Sequence, residues 1–457
     1  MQNITRTAKV GFISLGCPKN QLDCELMISK ASDAGFRVTT DITDAEAIVI
    51  NTCAFIIPAQ QEADEAIAEA LEHKETGRCR AVVVAGCLPQ YLKDRATGDY
   101  PGVDAWLTPD NPGDLGKVLA TLLGNANGQS RDAGAITTDW ELPTFLADSA
   151  SGRVLTTPPS LAYVKIAEGC NHGCKFCIIP QLRGRYRSRG IDDIAAEVGG
   201  ICEMETPEVV LVSQDSSFYG RDLQDASLAR LVEKLCAVPG DFWLRVMYLY
   251  PTHVTDELLE TWAKCAPKLL PYFDVPVQHV SERLLKSMGR RGNRAEVDAL
   301  FDRIRGHCPD AVIRTSLITG YPGETEEDFN ELYDWIAGGA VDRLGVFTYS
   351  DLPEMRSHSL PDHVDGDVAA QRQDMLMEAQ YETLAKAQDK LIGTELDVVI
   401  EEPDEAEPHV WWGRSWREAY EIDGLVRVES KLELELFRRV KVKVTGHDGY
   451  DLEAEAL

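Results

Sequence analysis

Three cysteines, Cys170, Cys174 and Cys177, stand in the spacing C-x3-C-x2-C within Cys170-Asn171-His172-Gly173-Cys174-Lys175-Phe176-Cys177. Three thiolates are one ligand fewer than a closed structural metal site takes. A 4Fe-4S cluster held this way keeps one iron open. That iron can take the amino and carboxylate groups of an amino-acid-like ligand, and S-adenosylmethionine offers both beside a sulfonium that accepts an electron. Breaking one carbon–sulfur bond then releases an adenosyl radical able to remove hydrogen from an unactivated carbon, provided that the protein excludes water and holds the target close. A zinc site and a plain redox pair are the competing readings of the same spacing.

A second trio lies far upstream. Cys17, Cys53 and Cys87 close the segments Ser14-Leu15-Gly16-Cys17, Asn51-Thr52-Cys53 and Ala85-Gly86-Cys87, and each follows an apolar, β-branched run: Val10 to Leu15, Ala47 to Ile50 and Ala81 to Ala85. Helical patterns over Gln21 to Ala34 and Ala59 to His73 separate the runs, so residues 1 to about 125 predict a doubly wound parallel sheet. In such a sheet ligands gather at the carboxyl ends of the strands, where these three cysteines would converge on one metal, iron–sulfur before zinc. Taken singly, each is equally well a buried core residue. Cys24 is expected to pack or to stand behind the ligands. Cys79, Cys202, Cys236, Cys265 and Cys308 have no cysteine at ligand spacing and read as small apolar residues.

The first trio needs a different scaffold. Residues 126–160 are polar and punctuated by Gly128, Gly134, Pro143, Gly152, Pro158 and Pro159, the composition of a connector pinned by Trp140, Leu142 and Phe145. Over residues 161–392 six strand-then-helix units follow, with strands near Ala162 to Ala167, Glu208 to Ser213, Phe242 to Tyr248, Tyr272 to Val277, Ala311 to Ile318 and Leu344 to Tyr349. Helices begin near Ile191, Ala226, Thr255, Glu282, Thr325 and Asp367. Six such units predict an open, partial (βα)6 TIM-like barrel, with Cys170 to Cys177 on its active rim after the first strand. Candidate cofactor-binding residues on that rim are Phe176, Gln214, Gln278, Arg314, Gly320 and Gly323. Each has a plain alternative: a core aromatic, a satisfied buried polar group, or a tight turn. Arg185, Arg187 and Arg189 alternate after the cysteine loop, as on a solvated edge strand with one position free to meet a carboxylate.

Residues 393–457 carry five short strands, near Glu395 to Ile400, Val410 to Trp412, Leu425 to Val428, Val440 to Val444 and Tyr450 to Glu453, and predict a small antiparallel β-barrel. Trp411, Trp412 and Trp416 suggest base stacking, but from Lys390 onward 9 Lys and Arg face 17 Asp and Glu, which suits a basic protein partner better than a phosphate backbone.

The whole chain points the same way. Its 457 residues carry a net charge of −29, with 44% hydrophobic and 26% charged residues, a folded multidomain protein that repels bare polyanions at long range. It has no apolar run of membrane-spanning length, and Met1 to Lys9 lack the apolar core of a secretion signal. A cytoplasmic, reducing location is expected, with thiols free for metal chemistry.

Both trios together with the terminal barrel resemble the methylthiotransferases over essentially the full chain. That family consists of radical S-adenosylmethionine enzymes with two 4Fe-4S clusters and a terminal TRAM domain. Ser14-Leu15-Gly16-Cys17-Pro18-Lys19-Asn20 looks like the RimO branch, which modifies an aspartate β-carbon of small-subunit ribosomal protein twelve; the resemblance extends over Ser213-Gln214-Asp215, Pro276-Val277-Gln278-His279, Gly320-Tyr321-Pro322-Gly323-Glu324-Thr325 and Tyr349-Ser350. It implies an auxiliary, sulfur-handling cluster on Cys17, Cys53 and Cys87, and a radical-generating one on Cys170, Cys174 and Cys177. One S-adenosylmethionine would give the methyl group and another the radical. The partners implied are a basic ribosomal protein and an electron donor, with no membrane, a TRAM domain that docks protein rather than tRNA, and a monomeric enzyme. The alternatives are the same chemistry on a tRNA adenosine, as in the MiaB branch, and a non-catalytic iron–sulfur or zinc protein that docks on ribosomes. Two departures from the family pattern stand out: Cys24 replaces a serine, and Asp351-Leu352-Pro353-Glu354-Met355-Arg356 replaces an acidic, Gly-Thr-containing loop.

Overall fold

In the computed structural model, which describes residues 8–124 and 135–457, the β-branched runs of the N-terminal segment form parallel strands. They are β1 (Lys9–Ser14), β2 (Arg37–Thr39), β3 (Ala47–Thr52), β4 (Ala81–Gly86), β5 (Ala105–Leu107) and β6 (Ile136–Thr137), in the spatial order β2-β1-β3-β4-β5-β6. Between them run α1 (Pro18–Asp33), α2 (Ile57–Thr76), α3 (Cys87–Leu92), α4 (Ala96–Asp99) and α5 (Leu115–Leu123). Sequence periodicity finds β1, β3 and β4 and misses the others, which are only 3, 3 and 2 residues long and too short to display a period. Every residue of β3 and β4 is buried, as in a parallel strand covered on both faces. Cys24 is a packing residue: it sits in the core with Val10, Met27, Val49 and Val83.

The expected connector is partly built into this sheet. Its Gly128 and Gly134, like the opening Met1 to Thr7, lie outside the described residues. β6 extends the sheet edge, and further on Thr156 donates from its backbone N and its Oγ1 to Glu25 Oε1 at 2.8 and 3.1 Å, while Arg153 pairs with the same carboxylate.

Chain order continues with β7 (Leu161–Lys165), β8 (Ala167–Glu168), α6 (Ile179–Arg183), β9 (Arg187–Ser188), α7 (Ile191–Glu203), β10 (Glu208–Val212), α8 (Leu228–Cys236), β11 (Trp243–Val246), α9 (Asp256–Lys264) and β12 (Tyr272–Asp274). It goes on through α10 (Glu282–Ser287), α11 (Arg294–His307), β13 (Val312–Thr319), α12 (Glu326–Ala337), β14 (Arg343–Thr348) and α13 (Gly366–Gln388). β7, β10 and β11 pair in parallel, as do β12, β13 and β14. The two triplets meet where Leu270 N donates to Leu244 O at 2.9 Å and Leu249 N donates to Asp274 O at 2.8 Å. This sequential arc is the open six-strand barrel expected from the sequence. Two helices go beyond the six expected here, the short α6 and α11; α11 is separated from α10 by Gly289 and Gly292, at φ +77° and +123°, and starts afresh where Asn293 Oδ1 accepts from Glu296 N at 3.1 Å.

The last strands are β15 (Glu395–Pro403), β16 (Val410–Ser415), β17 (Val426–Glu429), β18 (Arg439–Asp448) and β19 (Asp451–Ala456), closed in the order β15-β16-β17-β19-β18. Antiparallel pairing was expected throughout, but β17 and β19 pair in parallel. The chain passes through β18 between them, so β19 returns in the same direction as β17. Trp411 belongs to the barrel core with Val398, Ile400, Val426 and Leu452, and Trp412 Nε1 donates to Asp404 at 2.8 Å.

Two compact units result, one of Met1–Thr156, Ala167–His172 and Cys177–Arg189, the other of Thr157–Ile166, Gly173–Phe176 and Gly190–Leu457. The terminal barrel therefore shares a unit with the six-stranded arc. A buried charge network explains why. Glu208, the first residue of β10, is inaccessible to solvent and accepts from Arg245 Nε at 2.5 Å and from Arg414 Nη1 at 2.8 Å. Burial pushes the Glu208 carboxyl up, yet the two guanidiniums outweigh it and hold it below the usual range. Beside them Arg343 Nη2 reaches Glu418 Oε1 at 3.1 Å, and Tyr272 donates to Asp423 Oδ2 at 2.6 Å. Glu208, Tyr272 and Arg343 each begin a strand, so the small barrel plugs the amino-terminal end of the arc and leaves the carboxyl-terminal rim free for chemistry.

Candidate metal centres

The N-terminal trio converges. Cys17 caps α1 after β1, Cys53 follows β3, and Cys87 opens α3 directly after β4. Gly16 lies in the left-handed region at φ +88°, and a Cβ placed there would sit 2.7 Å from Cys53 Cβ and 3.4 Å from its Sγ. Gly86, at φ +91°, is equally confined, 2.5 Å from Asn51 Oδ1. Buried polar side chains tie the strand ends together. Asn20 Nδ2 donates to Leu15 O at 3.2 Å and to Thr52 O at 2.9 Å, Asn51 Nδ2 donates to Asn20 O at 2.6 Å, and Thr52 Oγ1 donates to Ala85 O at 2.6 Å.

The thiols feel one another. Burial pushes Cys53 up and Cys17 pushes it further; burial pushes Cys87 up to about 12, against the pull of the Arg183 guanidinium, with Cys53 and Cys17 adding to the rise. Three soft donors at neighbouring strand ends, near enough to raise one another's thiols, with glycines where a Cβ would intrude, fit a thiolate-held metal cluster.

The loop of Cys170, Cys174 and Cys177 follows β8. Cys170 is buried, its N donates to Gly184 O at 3.1 Å, and its Sγ accepts from His172 N at 3.4 Å. Cys177 is half-buried just before α6. Cys174 is also half-buried; burial pushes its thiol up, and the nearby Arg290 and Arg356 oppose the rise. The segment around Cys174 is clamped by the loop whose sequence departs from the family pattern. Arg356 Nη2 donates to Gly173 O at 2.5 Å, Ser357 donates to Lys175 O from N at 3.2 Å and from Oγ at 3.0 Å, and Lys175 N donates to Met288 O at 2.8 Å. Leu352 and Met355 anchor that loop in the interior.

On the rim of the arc, Gln214 follows β10 and Gln278 follows β12. Gln278 holds φ +75° and Tyr248, after β11, holds +65°, a concentration of backbone strain at strand ends that marks functional rims. Asp215 is buried, accepts from Phe218 N at 3.1 Å and Ser217 Oγ at 2.6 Å, and faces His253 Nδ1 at 3.1 Å. Four further expected cofactor residues are placed as follows. Arg314 Nη1 pairs with Asp274 Oδ1 at 2.9 Å, Phe176 packs against Leu284, Met288 and Tyr321, and Gly320 turns at φ +76° with its missing Cβ directed at Ala369. Gly323, at φ +83°, receives no such contact; its N donates to Asp362 O at 2.7 Å. Glu324 secures this turn, accepting from Gly320 N at 2.6 Å and from Arg372 Nη1 at 2.8 Å.

Several residues at these sites were not singled out from sequence. Arg183 is the foremost. Among the alternating arginines Arg185 is exposed, and Arg187 is spent on the carbonyls of Arg183, Arg185 and Phe145. Arg183, at the end of α6, is fully buried, with Nε 3.2 Å from Cys87 Sγ. No local sequence signal points to Arg183, whose partners Asn20, Asp23 and Cys87 lie about 100 residues or more upstream.

Comparison with known proteins agrees with this architecture. Residues 164–336 match the radical SAM superfamily, residues 9–108 an uncharacterized protein family, UPF0004, and residues 392–457 the TRAM domain. A protein of Heliobacterium modesticaldum named ribosomal protein uS12 methylthiotransferase RimO is 40% identical over 99% of this chain and 95% of its own length. Its namesake in Dictyoglomus thermophilum is 38% identical over 98% of this chain and 100% of its own. Among solved structures, the radical S-adenosylmethionine methyltransferase TsrM of Kitasatospora setae shares the fold, with a TM-score of 0.57 at 14% identity over 77% of each chain. With identity at this level sustained along the full length, the chain belongs to the RimO family of radical SAM methylthiotransferases.

Proposed function

We propose that this enzyme places a methylthio group on the β-carbon of an aspartate in ribosomal protein uS12, using two 4Fe-4S clusters and S-adenosylmethionine. Cys17, Cys53 and Cys87 hold the auxiliary cluster, and Cys170, Cys174 and Cys177 hold the radical-generating one. When bound, the radical-generating cluster would supply the electron that cleaves S-adenosylmethionine, and the auxiliary one would take part in sulfur delivery. The observation that carries the reading is the convergence of Cys17, Cys53 and Cys87 at three strand ends in a chain that also holds the C-x3-C-x2-C loop. A radical generator alone has no need of a second three-thiol site.

The chain's own residues do the positioning. Arg356 and Ser357 fix the backbone around Cys174, so its sulfur is presented from a rigid segment. Gln214 and Gln278, at strand ends on the rim, are the side chains placed to meet S-adenosylmethionine. Phe176, Arg314, Gly320 and Gly323 shape that pocket from behind through packing, the Asp274 ion pair and the turn closed by Glu324. Cytoplasmic action follows from a ribosomal substrate, as does the need for an electron donor.

Charge favours protein over tRNA. Beyond the excess of acidic residues in the terminal barrel, Arg414 is buried and bound to Glu208, which withdraws that cation from any phosphate groove. The test is anaerobic reconstitution followed by iron analysis. About eight irons per chain are expected for two full clusters, and replacing Cys170, Cys174 and Cys177 with alanine should remove half. Incubation with a reductant, S-adenosylmethionine and either small-subunit ribosomal proteins or total tRNA should yield deoxyadenosine and a modified protein. Modified tRNA nucleosides, or no deoxyadenosine, would overturn the proposal.

A further inference from the structure

Arg183 has no counterpart elsewhere in the described residues: a fully buried guanidinium directed at a thiol of the auxiliary trio. Its Nε lies 3.2 Å from Cys87 Sγ, its Nη1 is 2.5 Å from Asp23 Oδ2 and 3.5 Å from Glu168 Oε2, and its Nη2 donates to Asn20 Oδ1. Only 2% of its side chain is accessible. A guanidinium presents its donors in a fixed planar fork, and here the two terminal nitrogens are held by Asp23, Glu168 and Asn20. The remaining donor, Nε–H, is thereby aimed at sulfur. Asn20 is itself pinned to the ends of β1 and β3 by its bonds to Leu15 O and Thr52 O, so the fork is referenced to the same strand ends that carry the cysteines.

Hydrogen bonds to cluster sulfurs and nearby charge are principal means by which a protein sets the reduction potential of an iron–sulfur centre.

We propose that Arg183 is a positioning residue for the auxiliary centre: through its Nε–H bond to Cys87 it stabilises the reduced cluster and raises its reduction potential, while Asp23 moderates the effect. The proposal rests on the assignment of Cys17, Cys53 and Cys87 as cluster ligands.

The test uses the full chain with Cys170, Cys174 and Cys177 replaced by alanine, so that only the auxiliary centre remains. Midpoint potentials are read by electron paramagnetic resonance in poised samples, beside iron per chain. Arg183→Met should leave about tenfold less cluster reduced at a given potential, a midpoint about 59 mV lower. Arg183→Lys, which keeps the charge and loses the fork, should fall between Arg183→Met and the parent. Asp23→Asn, which leaves the arginine in place and removes a negative charge, should shift the midpoint upward. Opposite signs for Arg183→Met and Asp23→Asn are something a purely structural arginine would not produce. If Arg183→Met assembles no cluster, the lysine and asparagine variants still decide the matter. Full iron content with unmoved midpoints overturns the role of Arg183 alone. A parent that binds no iron overturns the cluster assignment itself, and the proposal with it.

Discussion

Replacing Gly16 with alanine tests the geometry of the proposed auxiliary site where Cys53 crowds the Cys17 turn. Two separate penalties apply. Gly16 sits at φ +88°, and an L-residue forced into the left-handed region costs roughly 1–2 kcal/mol. The new Cβ would also lie 2.7 Å from Cys53 Cβ, which Cys53 can relieve only by moving several tenths of an ångström, an overpacking cost of about 1–3 kcal/mol. Gly35 provides the control. It has nearly the same φ, +86°, and no atom within 4 Å of its would-be Cβ, so Gly35→Ala carries the backbone penalty without the clash. At about 2–4 °C per kcal/mol for a unit of this size, Gly35→Ala should lower the melting temperature by roughly 2–8 °C, and Gly16→Ala by more. The iron readout separates them further. Metal sites tolerate ligand displacements of only about 0.2 Å, so Gly16→Ala should lose about four irons per chain, while Gly35→Ala keeps the full complement. If Gly16→Ala binds as much iron as the parent and melts with Gly35→Ala, the crowding of Cys53 against the Cys17 turn is not what shapes the site.

Two other perturbations probe the second unit. Glu208→Ala leaves Arg245 and Arg414, each with 1% of its side chain exposed, buried without their shared carboxylate, and should cost about 3–5 kcal/mol; urea unfolding should show it, together with new proteolytic cleavage between α13 and β15, and an unchanged midpoint would refute the plug. For Asp328, burial pushes the carboxyl up, but hydrogen bonds from Ser281, Thr325 and Arg283 outweigh it and hold it at about 2. Because the folded value lies below the unfolded one of about 3.9, its stabilisation is present above about pH 4 and is lost as the pH falls toward 2. Asp328→Asn should therefore be less stable than the parent at pH 6 and converge with it near pH 2, measured on iron-free protein; a difference independent of pH would contradict the assignment.

How far the sequence reaches is clear from particular residues. The strand ends of Cys17, Cys53 and Cys87 were readable because β-branched runs between helical patterns fix a parallel sheet, and the topology then brings the carboxyl ends together. The six units of the central arc were readable for the same reason. Arg183 was not, because Arg185 and Arg187 just beyond it alternate as on an exposed edge, while the burial of Arg183 depends on Asp23, Asn20 and Glu168, which no local pattern links to it. The union of the terminal barrel with the arc was hidden in the same way. Glu208 resembles a strand-leading surface carboxylate until Arg414, far along the chain, is brought against it. Rim position makes Phe176 and Arg314 cofactor candidates, and the assembled fold adds what else holds them, a cluster of apolar side chains and Asp274. Local periodicity locates elements and their ends, whereas charge pairs across distant elements arise only from the assembled fold.

The central claim is that hydrogen leaves the β-carbon of an aspartate and a methylthio group takes its place. The most direct measurement follows both atoms at once: ribosomal protein uS12 labelled with β-deuterated aspartate is incubated with the reconstituted enzyme, a reductant and S-adenosylmethionine. The predicted result is deuterium in the deoxyadenosine formed, and a peptide carrying one SCH3 in place of one deuterium on a single aspartate. Deoxyadenosine without deuterium from the substrate, or a methylthio group on any other residue or on tRNA, would contradict it.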